Sequence, residues 1–185
     1  MFGQIGIYLI QTLFGLLVYL ALLRFFMQSF RAPFRNPAGQ FVVALTDWAV
    51  LPLRRIVPGW RGLDLASLVL AVIVELATIA LIAALVGANL SFGKWIILAL
   101  FGLVRKSLYL LILVVIVDFV LSWVNPYTPI GPVLQTITRP FYNVFRKFIP
   151  QIGGIDLSPM LVILAINIIL IALDHLELAV RAAAV

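Results

Sequence analysis

Cysteine is absent from this chain of 185 residues, histidine occurs once, and charged side chains make up 11% of it. The first absence excludes disulfide staples, thiolate metal sites and thiol catalysis together, and leaves the redox compartment open. One histidine cannot build a metal cluster. A Ser/His/Asp constellation and a Gly-rich phosphate cradle are missing too, so the expectation is a protein that is not an enzyme and that holds no cofactor or metal. The start of the chain has no basic n-region and no small-residue cleavage site, so its first apolar segment is expected to be retained as a span.

What fills the space is hydrocarbon. Hydrophobic residues make up 64% of the chain and the mean hydropathy is +1.20, more apolar surface than one aqueous core can hide. Four apolar runs, Phe2–Phe26, Leu65–Val86, Ser107–Trp123 and Leu157–Leu173, are each close to the ~20 residues a helix needs to cross a bilayer. None alternates with a period of two, and an open sheet cannot satisfy its backbone in lipid. The fold class is therefore an all-α membrane protein with four transmembrane helices.

The stretch Pro58-Gly-Trp-Arg-Gly62-Leu-Asp64-Leu returns as Pro150-Gln-Ile-Gly-Gly154-Ile-Asp156-Leu, each time opening an apolar run. Two cations precede each copy, Arg54-Arg55 and Arg146-Lys147, and an Asn-Pro step stands further upstream, Asn36-Pro37 and Asn125-Pro126. The interval from Pro52 to Arg54 is shorter than that from Pro140 to Arg146, which suggests one helical turn gained or lost. These landmarks divide the chain into two repeats, 1–92 and 93–185, each reading as span, amphipathic hairpin, span. Lys and Arg concentrate in the connections after the first and third spans, which places both in the cytoplasm, both termini in the periplasm, and makes the repeats parallel. Phe92–Val104 is apolar but too short to cross, and Arg105-Lys106 follows it. It is expected to be an interfacial or projecting segment whose cations snorkel to the outer headgroups. The alternative is a fifth span with antiparallel repeats.

In the second connection Phe141, Val144, Phe145, Phe148 and Ile149 recur at helical spacing, opposite Arg139, Asn143, Arg146 and Lys147, which predicts an in-plane helix bounded by Pro140 and Pro150. In the first, Asn36 is a cap with Pro37 at the first helical position, Phe41, Leu45 and Trp48 form a stripe, and Pro52 and Pro58 break the backbone. The cations Arg54, Arg55, Arg139, Arg146 and Lys147 either set topology or meet anionic lipid headgroups or a membrane complex. They lie within reach of headgroups and form no continuous soluble patch, so the net charge of +6 does not point to nucleic acid.

Asp64 and Asp156 begin spans, where a carboxylate caps a helix; the preceding glycine also allows a tight turn against Arg54 or Arg146. Glu75 and Asn167 stand at equivalent depths and are expected to face each other, with a neutral Glu75 donating to Asn167. Arg24 and Asp118 are a candidate ion pair, and Asp174, His175 and Glu177 read as an interfacial terminus. Such a set is either glue in a static bundle or a path for a proton or cation.

The chain resembles the bacterial YggT family, called YlmG in Gram-positive bacteria and cyanobacteria. The resemblance rests on Leu23-Arg24-Phe-Phe-Met-Gln28, Asn36-Pro37, Gln40-Phe-Val-Val43, Pro52-Leu-Arg-Arg-Ile-Val-Pro58 and Gly153-Gly-Ile-Asp156-Leu-Ser-Pro-Met160. It implies a small inner-membrane protein of two repeats, in a family linked to osmotic or potassium stress tolerance, to division or nucleoid placement, and in chloroplasts to haem attachment. The motif carries over to Asn36, Pro37, Pro52, Arg54, Arg55, Pro58 and Asp64, and to Pro140, Arg146, Pro150, Gly153, Gly154, Asp156, Ser158 and Pro159. The first copy departs at Ala66-Ser67, where the second has Ser158-Pro159. Two functions follow as expectations: a non-enzymatic membrane scaffold or assembly factor acting through its basic hairpins, with a membrane complex or a second copy of the chain as partner, or a small channel or transporter using Glu75, Asn167 and Asp118.

Overall fold

The computed structural model describes residues 2–60, 62–88, 91–148 and 156–183. Those residues form six helices: α1 (Phe2–Ser29), α2 (Pro37–Ile56), α3 (Leu65–Val86), α4 (Phe92–Val124), α5 (Gly131–Arg146) and α6 (Ser158–Ala183). Among the described residues there is no strand, only an isolated bridge between Trp60 and Leu63. α1, α3, α4 and α6 are long and apolar enough to cross a membrane, and leucines such as Leu9, Leu13, Leu16 and Leu164 on their outer faces are exposed, as lipid-facing positions must be.

α1 packs along α3, α3 along α4, and α4 along α6, while α3 and α6 do not touch. Where α1 meets α3 the buried positions are small, Ala21, Ala66, Ser67 and Ala71, which lets the backbones approach closely; in lipid this packing, and not water exclusion, drives helix association. Around them Val18, Leu22, Met27, Leu70 and Val74 form one core cluster, and Val115, Tyr142, Val162, Ile166 and Leu170 form a second between α4, α5 and α6. α2 rests on α1 and α3, and α5 on α4 and α6. The two meet the same end of the bundle: Phe30, just past α1, stacks edge-on against Phe141 of α5 at 6.0 Å.

Sequence signals fix most boundaries. Asn36 caps α2, accepting from Gly39 N at 2.9 Å with Pro37 in the first turn, and Gly87 closes α3 in the left-handed region at φ 69°. Gly62, at φ 86°, supplies the tight turn that delivers Asp64 to the start of α3. Asn125 does not repeat the role of Asn36, because it ends α4 and accepts from Tyr127 N.

Two expectations change. Phe92–Val104 is neither a separate interfacial segment nor a fifth span: α4 runs unbroken for 33 residues, ~50 Å at 1.5 Å per residue, against a core of ~30 Å. Secondly, α5 begins at Gly131 with Pro132 in its first turn, so Pro140 lies inside the helix instead of opening it; the preference for proline in a first turn is met by a different proline. Pro52 likewise lies inside α2, so each connection is built on one helix where a hairpin was expected. The stripe Phe41, Leu45 and Trp48 lies on the exposed face of α2, which turns Gly39, Val42, Thr46 and Val50 inward. Ile149, Pro150, Gly153 and Gly154 lie outside the described residues.

Candidate functional site

Two polar clusters occupy the end of the bundle covered by α2 and α5. In the first, the Arg24 guanidinium of α1 is 3% exposed. Its Nη1 donates to Thr46 Oγ1 and Asp47 Oδ1 of α2, both at 2.7 Å, and its Nε lies 3.6 Å from Asp64 Oδ2, an ion pair but too long for a hydrogen bond. Asp64 in turn takes a fork from Arg54, Nε at 3.2 Å and Nη2 at 2.7 Å, and the Ser67 hydroxyl at 2.5 Å. Burial opposes ionisation of Asp64, but the Arg54 and Ser67 hydrogen bonds and the charges of Arg54 and Arg24 outweigh it, so its pKa falls below the ordinary value. The hydrogen bond to Asp64 raises that of Arg54 correspondingly. Asp64 holds the N-cap position of α3 without bonding a backbone N–H, so it serves as an arginine partner and not as the cap expected of it.

The second cluster repeats the arginine–aspartate fork and alters the rest. Arg146 Nε and Nη2 donate to Asp156 Oδ2 at 3.0 and 2.5 Å, across the same ten-residue interval that separates Arg54 from Asp64. Asp156 also accepts from Ser158 N at 2.9 Å. Pro159 stands where Ser67 does, so a backbone donor replaces the hydroxyl. Burial works against the Asp156 carboxylate, and the bonds from Ser158 and Arg146 overcome it and lower its pKa. Arg146 also lies over the Tyr142 ring at 5.4 Å, a cation–π contact.

Deeper in, the charges are inverted relative to the first cluster. α4 supplies an acid, Asp118, 8% exposed, which accepts from Thr138 Oγ1 at 3.0 Å; the residue after that threonine is Arg139, where Asp47 follows Thr46. Arg24 and Asp47 close into an ion pair. Asp118 and Arg139 do not, and instead line a cavity of about 510 Å³ with Tyr142, Arg146, Asp156 and the apolar walls Phe119, Trp123 and Pro159. The Tyr142 hydroxyl is buried there beside Asp118 and Thr138, and meets neither with the geometry of a full hydrogen bond. Its pKa is raised, first by burial and then by the negative charge of Asp118. The structure thus separates Arg24 from Asp118, which were expected to pair.

Further along the bundle Glu75 of α3, 5% exposed, bonds Lys106 of α4 at 2.5 Å, and not Asn167. Asn167 is exposed and donates to Ile163 O within its own helix. The reason is topological: α3 packs on α4 and does not reach α6. Glu75 lies ~15 Å along α3, near the middle of the hydrocarbon, and its carboxylate lies across Gly102, where a Cβ would strike it. Arg105 bonds both Asp174 and Glu177 of α6. Arg105 and Lys106 therefore pair with carboxylates of the neighbouring helices α6 and α3.

Of the basic residues, Arg55, Arg139 and Lys147 are exposed and make no ion pair among the described residues, whereas Arg54 and Arg146 are taken by Asp64 and Asp156. Thr46, Asp47, Thr138 and Tyr142 were not anticipated, nor was Lys106 as the partner of Glu75. The threonines carried a usable signal, since each precedes its Arg54 or Arg146 by the same interval.

Four apolar helices, two shorter helices laid over one end, and a charged cluster beneath each define a polytopic α-helical membrane protein. The chain belongs to the CCB3/YggT family, whose sequence profile matches residues 3–85 and 97–176. It is similar to an uncharacterised protein of Pseudomonas aeruginosa, 40% identical over 171 residues covering 89% of this chain and 85% of the relative. It is similar also to the uncharacterised protein YggT of Escherichia coli K12, 34% identical over 164 residues, 88% of this chain and 85% of the relative. A shorter match, 43% identical over 56 residues, is to the chloroplastic YlmG homolog protein 2 of Arabidopsis thaliana, covering 29% of this chain and 22% of that protein. No solved structure matches the chain.

Proposed function

We propose that the protein is a non-enzymatic organiser of the bacterial inner membrane, built from two parallel repeats with both termini periplasmic, whose basic amphipathic helices α2 and α5 meet anionic headgroups and through them a membrane complex. The observation that carries this reading is the division of labour among the cations. Arg54 and Arg146 are spent on fixing the helix junctions, and Arg55, Arg139 and Lys147 stay exposed with no ion pair among the described residues. A cation near an anionic leaflet contributes about 1 kcal/mol. The outward stripe Phe41, Leu45 and Trp48 gives α2 an apolar contact with acyl chains at the same level. An osmotic-stress role, which the family resemblance implies, is proposed with this reading.

A static bundle is supported over a transport path. Glu75 is occupied by Lys106, Asn167 faces outward, and the cavities that reach Asp118 and Glu75 share no lining residue. The test is co-purification from native membranes. Wild-type protein in mild detergent is expected to retain phosphatidylglycerol or cardiolipin, and Arg55→Gln with Lys147→Gln to lose most of it, about 2 kcal/mol if each cation contributes about 1. Equal retention by both proteins would count against headgroup engagement.

A further inference from the structure

The cavity in the second cluster is bounded by groups that need partners. A carboxylate offers about four acceptor positions, yet buried Asp118 receives one hydrogen bond, from Thr138. The buried Tyr142 hydroxyl lies beside Asp118 and Thr138 and makes a well-formed hydrogen bond with neither. Facing them, Arg139 makes no ion pair among the described residues and lines the same cavity. In the first cluster the corresponding space is filled by the chain itself, because the Arg24 guanidinium reaches Thr46 and Asp47. The second cluster leaves an acid and a base apart, with about 510 Å³ between the walls, within the size range of small-ligand sites.

The complement of such a cavity is a zwitterion. A compact cation with several N–H donors satisfies Asp118 and the Tyr142 oxygen, and an anion a few bonds away meets Arg139. Phe119 and Trp123 are exposed on the same rim, at the end of α4 where apolar chains continue from a bound headgroup. Aromatic side chains of this kind sit at the headgroup level of a bilayer. We propose that this cavity is a binding site for an aminophospholipid headgroup, its primary ammonium on Asp118 and Tyr142 and its phosphodiester on Arg139.

This inference rests on the headgroup reading above, and its test keeps the two apart. Full-length protein is reconstituted in nanodiscs of equimolar phosphatidylethanolamine, phosphatidylcholine and phosphatidylglycerol, released, and weighed by native mass spectrometry. The wild type is expected to keep one phosphatidylethanolamine about tenfold over phosphatidylcholine, whose quaternary ammonium has no N–H to donate, one charge-assisted hydrogen bond being of that order. Asp118→Asn, confirmed folded by helix content, is expected to abolish that preference, and Tyr142→Phe to reduce it. Arg139→Gln is expected to weaken both lipids alike, since they share the phosphate. Glycerophosphoethanolamine as competitor separates sources: potency equal to the lipid would make the free zwitterion the ligand and overturn the lipid assignment. Equal retention of the two lipids by the wild type, or an unchanged preference in both Asp118→Asn and Tyr142→Phe, would overturn the site. Phosphatidylglycerol retention governed by Arg55 and Lys147 is read in the same spectra, so loss of this inference leaves the broader one standing.

Discussion

Lys106 and Glu75 illustrate how a single contact sets the cost of charge inside a membrane. Each alone would be an uncompensated ion among hydrocarbon, and together they form a pair between α3 and α4 in which Glu75 is buried and Lys106 half-buried. Removing one partner of such a pair costs about 3 kcal/mol or more, whereas replacing both by apolar residues is close to neutral. Lys106→Met is therefore expected to lower stability by about 3 kcal/mol in denaturant titration in detergent, and the double variant Glu75→Leu/Lys106→Met to recover most of it. Recovery that fails would mean the pair has a role beyond balancing charge. Gly102→Ala tests the same contact more gently. Its methyl displaces the flexible end of Glu75, for a loss of about 1 kcal/mol. Arg54 with Asp64 and Arg146 with Asp156 were legible from spacing, because short intervals and a glycine turn constrain where the chain goes. The partner of Glu75 was not, since it lies 31 residues away on another helix and repeat symmetry pointed to Asn167. Symmetry in sequence specifies equivalent positions, not contact between them.

At the scale of elements, the junctions α2 to α3 and α5 to α6 are held by those two arginine–aspartate forks. Both aspartates have folded pKa values below the ordinary 3.8. A carboxylate with a depressed folded pKa contributes stability that is present above its unfolded pKa and lost as pH falls through the folded value. Thermal stability in detergent is thus expected to be level from neutral pH down to about 5 and to decline below about 4, and the double variant Asp64→Asn/Asp156→Asn to start lower and lack that acid decline. An acid decline unchanged in the double variant would assign it to other carboxylates. The spans were readable because ~20 apolar residues admit few alternatives to a helix in lipid. The ends of α5 and the inward face of α2 were less so. Lipid and the protein core are both apolar there, so Phe41 and Val42 carry the same hydropathy signal although one faces out and the other in.

For the whole molecule, the account depends on α2 and α5 sharing one face of the membrane. Phe30 reaches Phe141, and α1 touches α5. This geometry accords with the concentration of Lys and Arg in the same two connections. The natural absence of cysteine makes single introduced thiols clean reporters. Gln40 in α2 and Gln135 in α5 are exposed, so Gln40→Cys and Gln135→Cys can be probed in intact cells and in inverted vesicles with a membrane-impermeant maleimide. The account predicts that both are labelled in inverted vesicles and neither in intact cells; labelling of the two positions from opposite faces would contradict it.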